Sequence, residues 1–283
     1  PLAPEDCVVQ SMPDVSPTKW HLAHTSWFFE TFFLPEVASS YRPFHTAFKY
    51  LFNSYYNAIG PQYPRPRRGL LARPTLSEVW DYRSHVDQAM CEALAGKDWE
   101  SLGDCAGILE LGLHHEQQHQ ELMIMDIKHV FSCNPLRPVY RDRSDDPVRE
   151  AAALSWCEYP AGLCWIGHEG PEFAFDNEMP CHQALMHPFR LASKLVTNAE
   201  YMAFIGDGGY RRPELWLSAG WDAAQAGRWD SPLYWEILDG RWHVMTLAGL
   251  REVQPQEPVC HVSYFEADAF SRWAGARLPT EFE

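Results

Sequence analysis

The sequence predicts a two-part protein, a helical bundle followed by a mixed α+β region. Three observations carry this reading. Long stretches with helical apolar periodicity fill the first 130 or so residues and then stop. A Pro-, Arg- and Asp-rich stretch follows. From Leu154 onward the chain breaks into short segments punctuated by Gly, Pro, Trp and Asn. We therefore expect a bundle over 1–134, a linker over 135–153 and an α+β domain over 154–283. A length of 283 residues and a 46% apolar share suit two cores of this kind.

Residues 1–16 form an entry segment. The first helix is expected over 17–34, with Ser16 as cap and Pro17 at its first position. It is apolar around much of its circumference, as a bundle core requires. It carries His21 and His24. Residues 41–53 are aromatic and read as a second, short helix. Gly60 to Gly69 contains three Pro and two Gly and reads as a loop. In an otherwise acidic chain, Arg65, Arg67, Arg68 and Arg73 form a local basic cluster. It is either a solvated loop or a carboxylate-binding one, since guanidinium groups pair well with carboxylates. A third helix is expected over 75–95, with Thr75 and Glu78 as a capping box and Val79, Tyr82, Val86, Ala89 and Met90 as its inner stripe. The fourth, over 104–131, completes a four-helix bundle with one long crossover loop.

That fourth helix holds the most informative stretch, His115-Glu116-Gln117-Gln118-His119. Two histidines four residues apart lie about 40° apart on one helical face and can hold a metal ion from one side. The same letters spell the H-E-x-x-H pattern of zinc peptidases, with Glu116 as general base. Either His21 or His24 could supply a third ligand. His24, with Trp20, Trp27 and Phe28 as its helical neighbours, is the better placed. Glu116 and Glu121 point elsewhere on the helix and read as outer residues rather than ligands.

In the second part, 156–162 reads as a strand and then a turn, and 164–168 as another strand. Phe173 to Pro180 reads as a loop, and 182–192 as one alternating strand. Thr197 caps one helix, and 262–274 forms another.

Net charge is −15, which excludes a nucleic-acid scaffold and favours small-molecule work. The chain has 12 Trp, 15 Phe and 12 Tyr, enough to build aromatic pockets. Its eight Cys include no C-x-x-C pair, which fits reduced thiols in a cytoplasmic protein. No signal peptide or membrane-length apolar run is seen, so no membrane partner is expected. Because the first residue is Pro, the natural N-terminus is expected to lie upstream.

Trp20-His21-Leu22-Ala23-His24, Asn53-Ser54-Tyr55-Tyr56-Asn57 and His115 to Glu121 resemble the EgtB family of ergothioneine-type sulfoxide synthases. The segments Thr197 to Tyr201, Pro258 to Ser263 and Ala274 to Glu281, with Pro180, resemble the domain shared with formylglycine-generating enzymes. This resemblance implies a DinB-like four-helix bundle joined to a C-type-lectin-like domain. It implies Fe(II) held by His24, His115 and His119, Gln118 against the imidazole substrate, and Tyr55 or Tyr56 as proton donor. The implied reaction is dioxygen-dependent C–S bond formation between hercynine (histidine betaine) and a thiol donor, cysteine or γ-glutamylcysteine. A selenoneine synthase joining a selenosugar through a C–Se bond would share the same bundle motifs. The family continues well beyond Glu283, so donor-binding residues are expected there. Arg67, Arg68 and Arg73 are our candidates for a substrate carboxylate. A zinc hydrolase using His115, Glu116 and His119, and a non-catalytic module built on the second part, are the competing readings. The sequence does not specify an oligomeric state.

Overall fold

The computed structural model describes residues 2–142 and 152–283, and the chain divides into two compact units, 1–141 and 142–283. The central part of the expected linker, 143–151, lies outside the described residues.

In the first unit, α1 (Thr18–Phe28) runs without a break into a π-helical turn (Phe29–Phe33) and then α2 (Leu34–Val37). Next come a single turn, α3 (Phe48–Leu51), and two long helices, α4 (Leu76–Leu94) and α5 (Cys105–Cys133). The second helix expected over 41–53 is thus reduced to one turn. Tertiary contacts hold its flanks open. The buried Glu30 carboxylate accepts hydrogen bonds from Tyr41 Oη (2.6 Å), the Phe44 backbone N–H (3.0 Å) and Tyr82 Oη (2.7 Å). A buried carboxylate must be satisfied, and these three donors fix the loop path.

Helix α1 packs on both α4 and α5. Nine of its eleven residues are buried, as its all-round apolar character requires. The core joins Trp20, Trp27, Phe28, Phe52, Val79 and Tyr82, with Ala89 and Met90 packed at its margin. The Thr75–Glu78 capping box forms as expected. Ser16 does not cap α1. Its hydroxyl accepts from Arg68, its N–H donates to Asp126, and Pro17 takes the cap position.

In the second unit every strand pair is antiparallel. Strand β1 (Trp156–Tyr159) pairs with β4 (Phe189–Ala192), and β2 (Gly162–Ile166) with β3 (His182–Met186). The single strand expected over 182–192 is two strands. Pro188 lies at the break and has no N–H to donate to a ladder, and the halves pair with different partners. Thr197 caps α6 (Asn198–Gly206) with a complete box. Then come α7 (Ser218–Gly227), a meander of β5 (Trp235–Leu238), β6 (Arg241–Thr246) and β7 (Gly249–Glu252), and α8 (Tyr264–Trp273), capped by Ser263. Its core includes Tyr201, Phe204, Tyr210, Trp216 and Ala269. All eight cysteines are free thiols. Among the described residues no helix is long and apolar enough to cross a membrane.

Candidate metal centre

Helices α1 and α5 bring His24, His115 and His119 together, with one ligand-capable atom from each within 4.8 Å of the other two. His24 is 2% exposed, and its ring stacks between Trp20 (4.6 Å between centroids) and Trp27 (5.4 Å). Its Nδ1–H donates to the Phe52 carbonyl at 2.6 Å, which turns Nε2 toward His115 Nε2 at 3.2 Å. His115 packs against Phe28, and its Nδ1 is buried without a hydrogen-bond partner among the described residues. His119 turns Nδ1 to His21 Nδ1 at 2.8 Å, which leaves Nε2 for the shared side.

The helix spacing explains half of this arrangement. Four residues apart on α5, the His115 and His119 rings lie 4.5 Å from each other. The other half comes from close packing at Gly112. A Cβ there would overlap the Phe28 and Phe29 rings, so glycine lets α5 approach the end of α1.

The donor set fits a divalent transition metal. Two imidazole nitrogens each about 2.1 Å from one ion, at octahedral to tetrahedral angles, stand about 3.0–3.4 Å apart. The observed 3.2 Å between His24 and His115 lies in that window. Burial also keeps the rings neutral, with their lone pairs available. Desolvation is the largest cause in each case, and neighbouring histidines add to it for His24 and His119. It lowers His24 well below 6.5, His115 to about 4 and His119 to about 2.

The remaining sequence candidates separate. The charges of Arg65 and Arg68 both bear on His119, and of the four loop arginines Arg68 is the buried one. It is 3% exposed, lies 3.4 Å over the Trp20 ring and donates to Ser16 Oγ and Ser54 Oγ. No carboxylate is within ion-pairing distance of it among the described residues. Arg67 is exposed, and Arg73 is exposed and paired with Glu78 at 3.4 Å. Tyr56 packs on Trp27, Phe28 and Phe32, and burial raises its phenol. Tyr55 is exposed in a left-handed backbone conformation, with its hydroxyl accepting from Arg65 at 2.7 Å. Gln118 is exposed on the turn between the two ligand-bearing positions. Glu116 pairs with Arg83 of α4 at 2.7 Å, and Arg83 also donates to Thr25.

Sequence reasoning missed Arg83, the Phe52 carbonyl, and Asp126, which accepts from His21 Nε2 at 2.9 Å. Asp126 had a readable signal. Seven residues after His119, it lies two turns along the same helical face.

A helical unit with a largely buried three-histidine cluster, followed by a small-sheet α+β unit, defines a two-domain architecture with known counterparts. A model of the DinB superfamily matches residues 1–123, and one of the sulfatase-modifying factor enzyme 1-like domain matches residues 145–283. The hercynine oxygenase of Mycolicibacterium thermoresistibile is 33% identical over 279 residues, 96% of this chain and 58% of that protein. The hercynine oxygenase of Mycolicibacterium smegmatis is 32% identical over 206 residues, 72% of this chain and 46% of that protein. The formylglycine-generating enzyme of Streptomyces coelicolor is 34% identical over 126 residues, 40% of each chain. The chain belongs to the EgtB-like family, and it spans about half the length of the hercynine oxygenases it matches.

Proposed function

We propose that this chain carries the metal-binding half of an Fe(II)- and dioxygen-dependent enzyme that attaches sulfur to the imidazole ring of hercynine. The convergence of His24, His115 and His119 is the observation that carries this reading. Three neutral imidazoles leave three positions of an octahedral ion for exogenous groups. The relatives are named oxygenases, and zinc has no redox chemistry to offer dioxygen, so iron is the metal of choice. The overall change balances as hercynine C–H plus thiol S–H plus dioxygen, giving a C–S bond bearing one sulfoxide oxygen and one water. Bound iron would hold the thiolate beside dioxygen and exchange electrons with both.

The chain's own residues supply the rest. Trp20 and Trp27 clamp the His24 ring and keep water from it. Arg68, a buried cation whose hydrogen bonds go to hydroxyls, suits a substrate carboxylate. Tyr56, protonated at neutral pH, and Tyr55, hydrogen-bonded to Arg65, are the candidate proton donors. Gln118, exposed between the two histidine positions of α5, is the candidate imidazole contact.

A zinc hydrolase would need Glu116 free to act on water, and its ion pair with Arg83 argues against that role. The test uses the full-length protein loaded with Fe(II) under argon. It is given hercynine and dioxygen with cysteine, γ-glutamylcysteine or a selenosugar in turn. The expected result is a product whose mass shows a C–S bond and one added oxygen with a thiol donor. A product formed only from the selenosugar would reassign the chain as a selenoneine synthase. No product and no dioxygen uptake with any donor would overturn the proposal.

A further inference from the structure

His21 is not one of the three converging histidines, yet it is 2% exposed and both of its ring nitrogens are engaged. Nδ1 lies 2.8 Å from His119 Nδ1, and Nε2 lies 2.9 Å from Asp126 Oδ2. The same Asp126 oxygen accepts the Ser16 backbone N–H at 2.8 Å. A backbone N–H can only donate, so Oδ2 acts as an acceptor, and His21 Nε2 is the donor to it. With a single ring proton, on Nε2, His21 turns its Nδ1 lone pair to His119. A cation on His119 Nε2 leaves that ring a single proton, on Nδ1, pointing at this lone pair. The hydrogen-bond directions along Asp126, His21 and His119 therefore agree with one another and with metal binding.

We propose that His21 and Asp126 act as positioning residues that hold His119 in the tautomer and orientation that bind the metal. The inference rests on the metal-site reading above. The three ligands contrast in their anchoring. His24 is held by an uncharged carbonyl, that of Phe52, and His115 Nδ1, a buried atom of a half-buried residue, has no hydrogen-bond partner among the described residues. Burial alone thus does not force a partner on a histidine here. Only His119 is tied through a second ring to a carboxylate. A histidine ligand that donates toward a carboxylate is a stronger and better-oriented donor. His119 is accordingly the anchor of the set.

The experiment measures Co(II) and Fe(II) dissociation constants, the Co(II) visible spectrum and thermal unfolding for the full-length protein and three variants. His21→Phe keeps a buried ring and removes both hydrogen bonds. His21→Gln can still accept from His119 through its carbonyl and donate to Asp126 through its amide. Asp126→Asn keeps the shape and the Ser16 contact and removes the charge. We expect His21→Phe to weaken both metals by about 10–100-fold and to shift the Co(II) bands. We expect His21→Gln to recover most of the affinity. Asp126→Asn should fall between the two. A merely structural link between α1 and α5 would lower the unfolding temperature of His21→Phe without moving affinity or spectrum, and that result overturns the proposal. If His21→Phe does not fold, Asp126→Asn with unchanged affinity and bands does the same. If the unaltered protein binds neither metal, the site reading itself falls. If it binds both and the variants match it, only the positioning role falls.

Discussion

His24 shows how much one side chain owes to its surroundings. Its ring is fixed on both faces by indoles and at Nδ1 by a carbonyl, so only Nε2 is left to bind. We expect His24→Asn to lose metal at neutral pH while keeping helical circular dichroism. Metal content after gel filtration checks this. Glu116 makes the opposite case. Its position within H-E-x-x-H suggests a general base, yet its carboxylate is paired with Arg83 across to α4. Glu116→Gln should cost about 1 kcal/mol in urea unfolding and leave metal content unchanged. Loss of all activity with this change would favour the hydrolase. The aromatic helix face that His24 shares with Trp20, Trp27 and Phe28 was legible in the sequence, but its meeting with the α5 pair was not. The separate roles of Arg67, Arg68 and Arg73 were not, because three arginines in one loop look alike until burial is known.

The helical elements α4 and α5 were readable because periodicity and capping are local. The Thr75–Glu78 box and the Thr197 cap form where the letters place them, and Glu200 completes a second box. The meander of β5, β6 and β7 was not expected, because three short strands in a Trp-rich stretch leave little period to read. The second bundle helix was overestimated because its flanks are claimed by Glu30 from another element. Helix packing also rests on a residue that sequence reading passed over, Gly112. Adding one methyl there pushes α5 off Phe28 and Phe29. We expect Gly112→Ala to destabilise the protein by about 1–3 kcal/mol, as overpacked cores do. It should also weaken Co(II) binding, because His115 lies less than one turn away and packs on the same Phe28 ring. Chemical denaturation and a cobalt titration on one preparation test both effects.

For the molecule as a whole, the histidine cluster couples folding to pH and to metal. Folded His115 and His119 titrate near 4 and 2, and His24 well below 6.5, whereas unfolded they titrate near 6.5. The unfolded chain therefore binds more protons below 6.5. In the metal-free protein this contribution to stability is complete above pH 6.5 and is lost progressively as pH falls through 4 and on toward 2. Urea midpoints across that interval should fall steadily, and a flat profile would contradict the buried, neutral rings. Metal at about a hundredfold its dissociation constant should add about 2.7 kcal/mol, read as a chelator-reversible rise in unfolding temperature. The sequence by itself determined the division into a helical and a mixed part, the Thr75 and Thr197 caps, and the pair of histidines on α5. Each depends on neighbours within a few residues, where geometry follows from chain order. Only the tertiary structure decided that His24 joins that pair, that Arg68 alone among the loop arginines is buried, and that Asp126 stands behind His119 through His21. The His24–His115 and His21–Asp126 contacts join residues 91 and 105 apart, and their distances are set by the packing of α1 against α5, which no local pattern records.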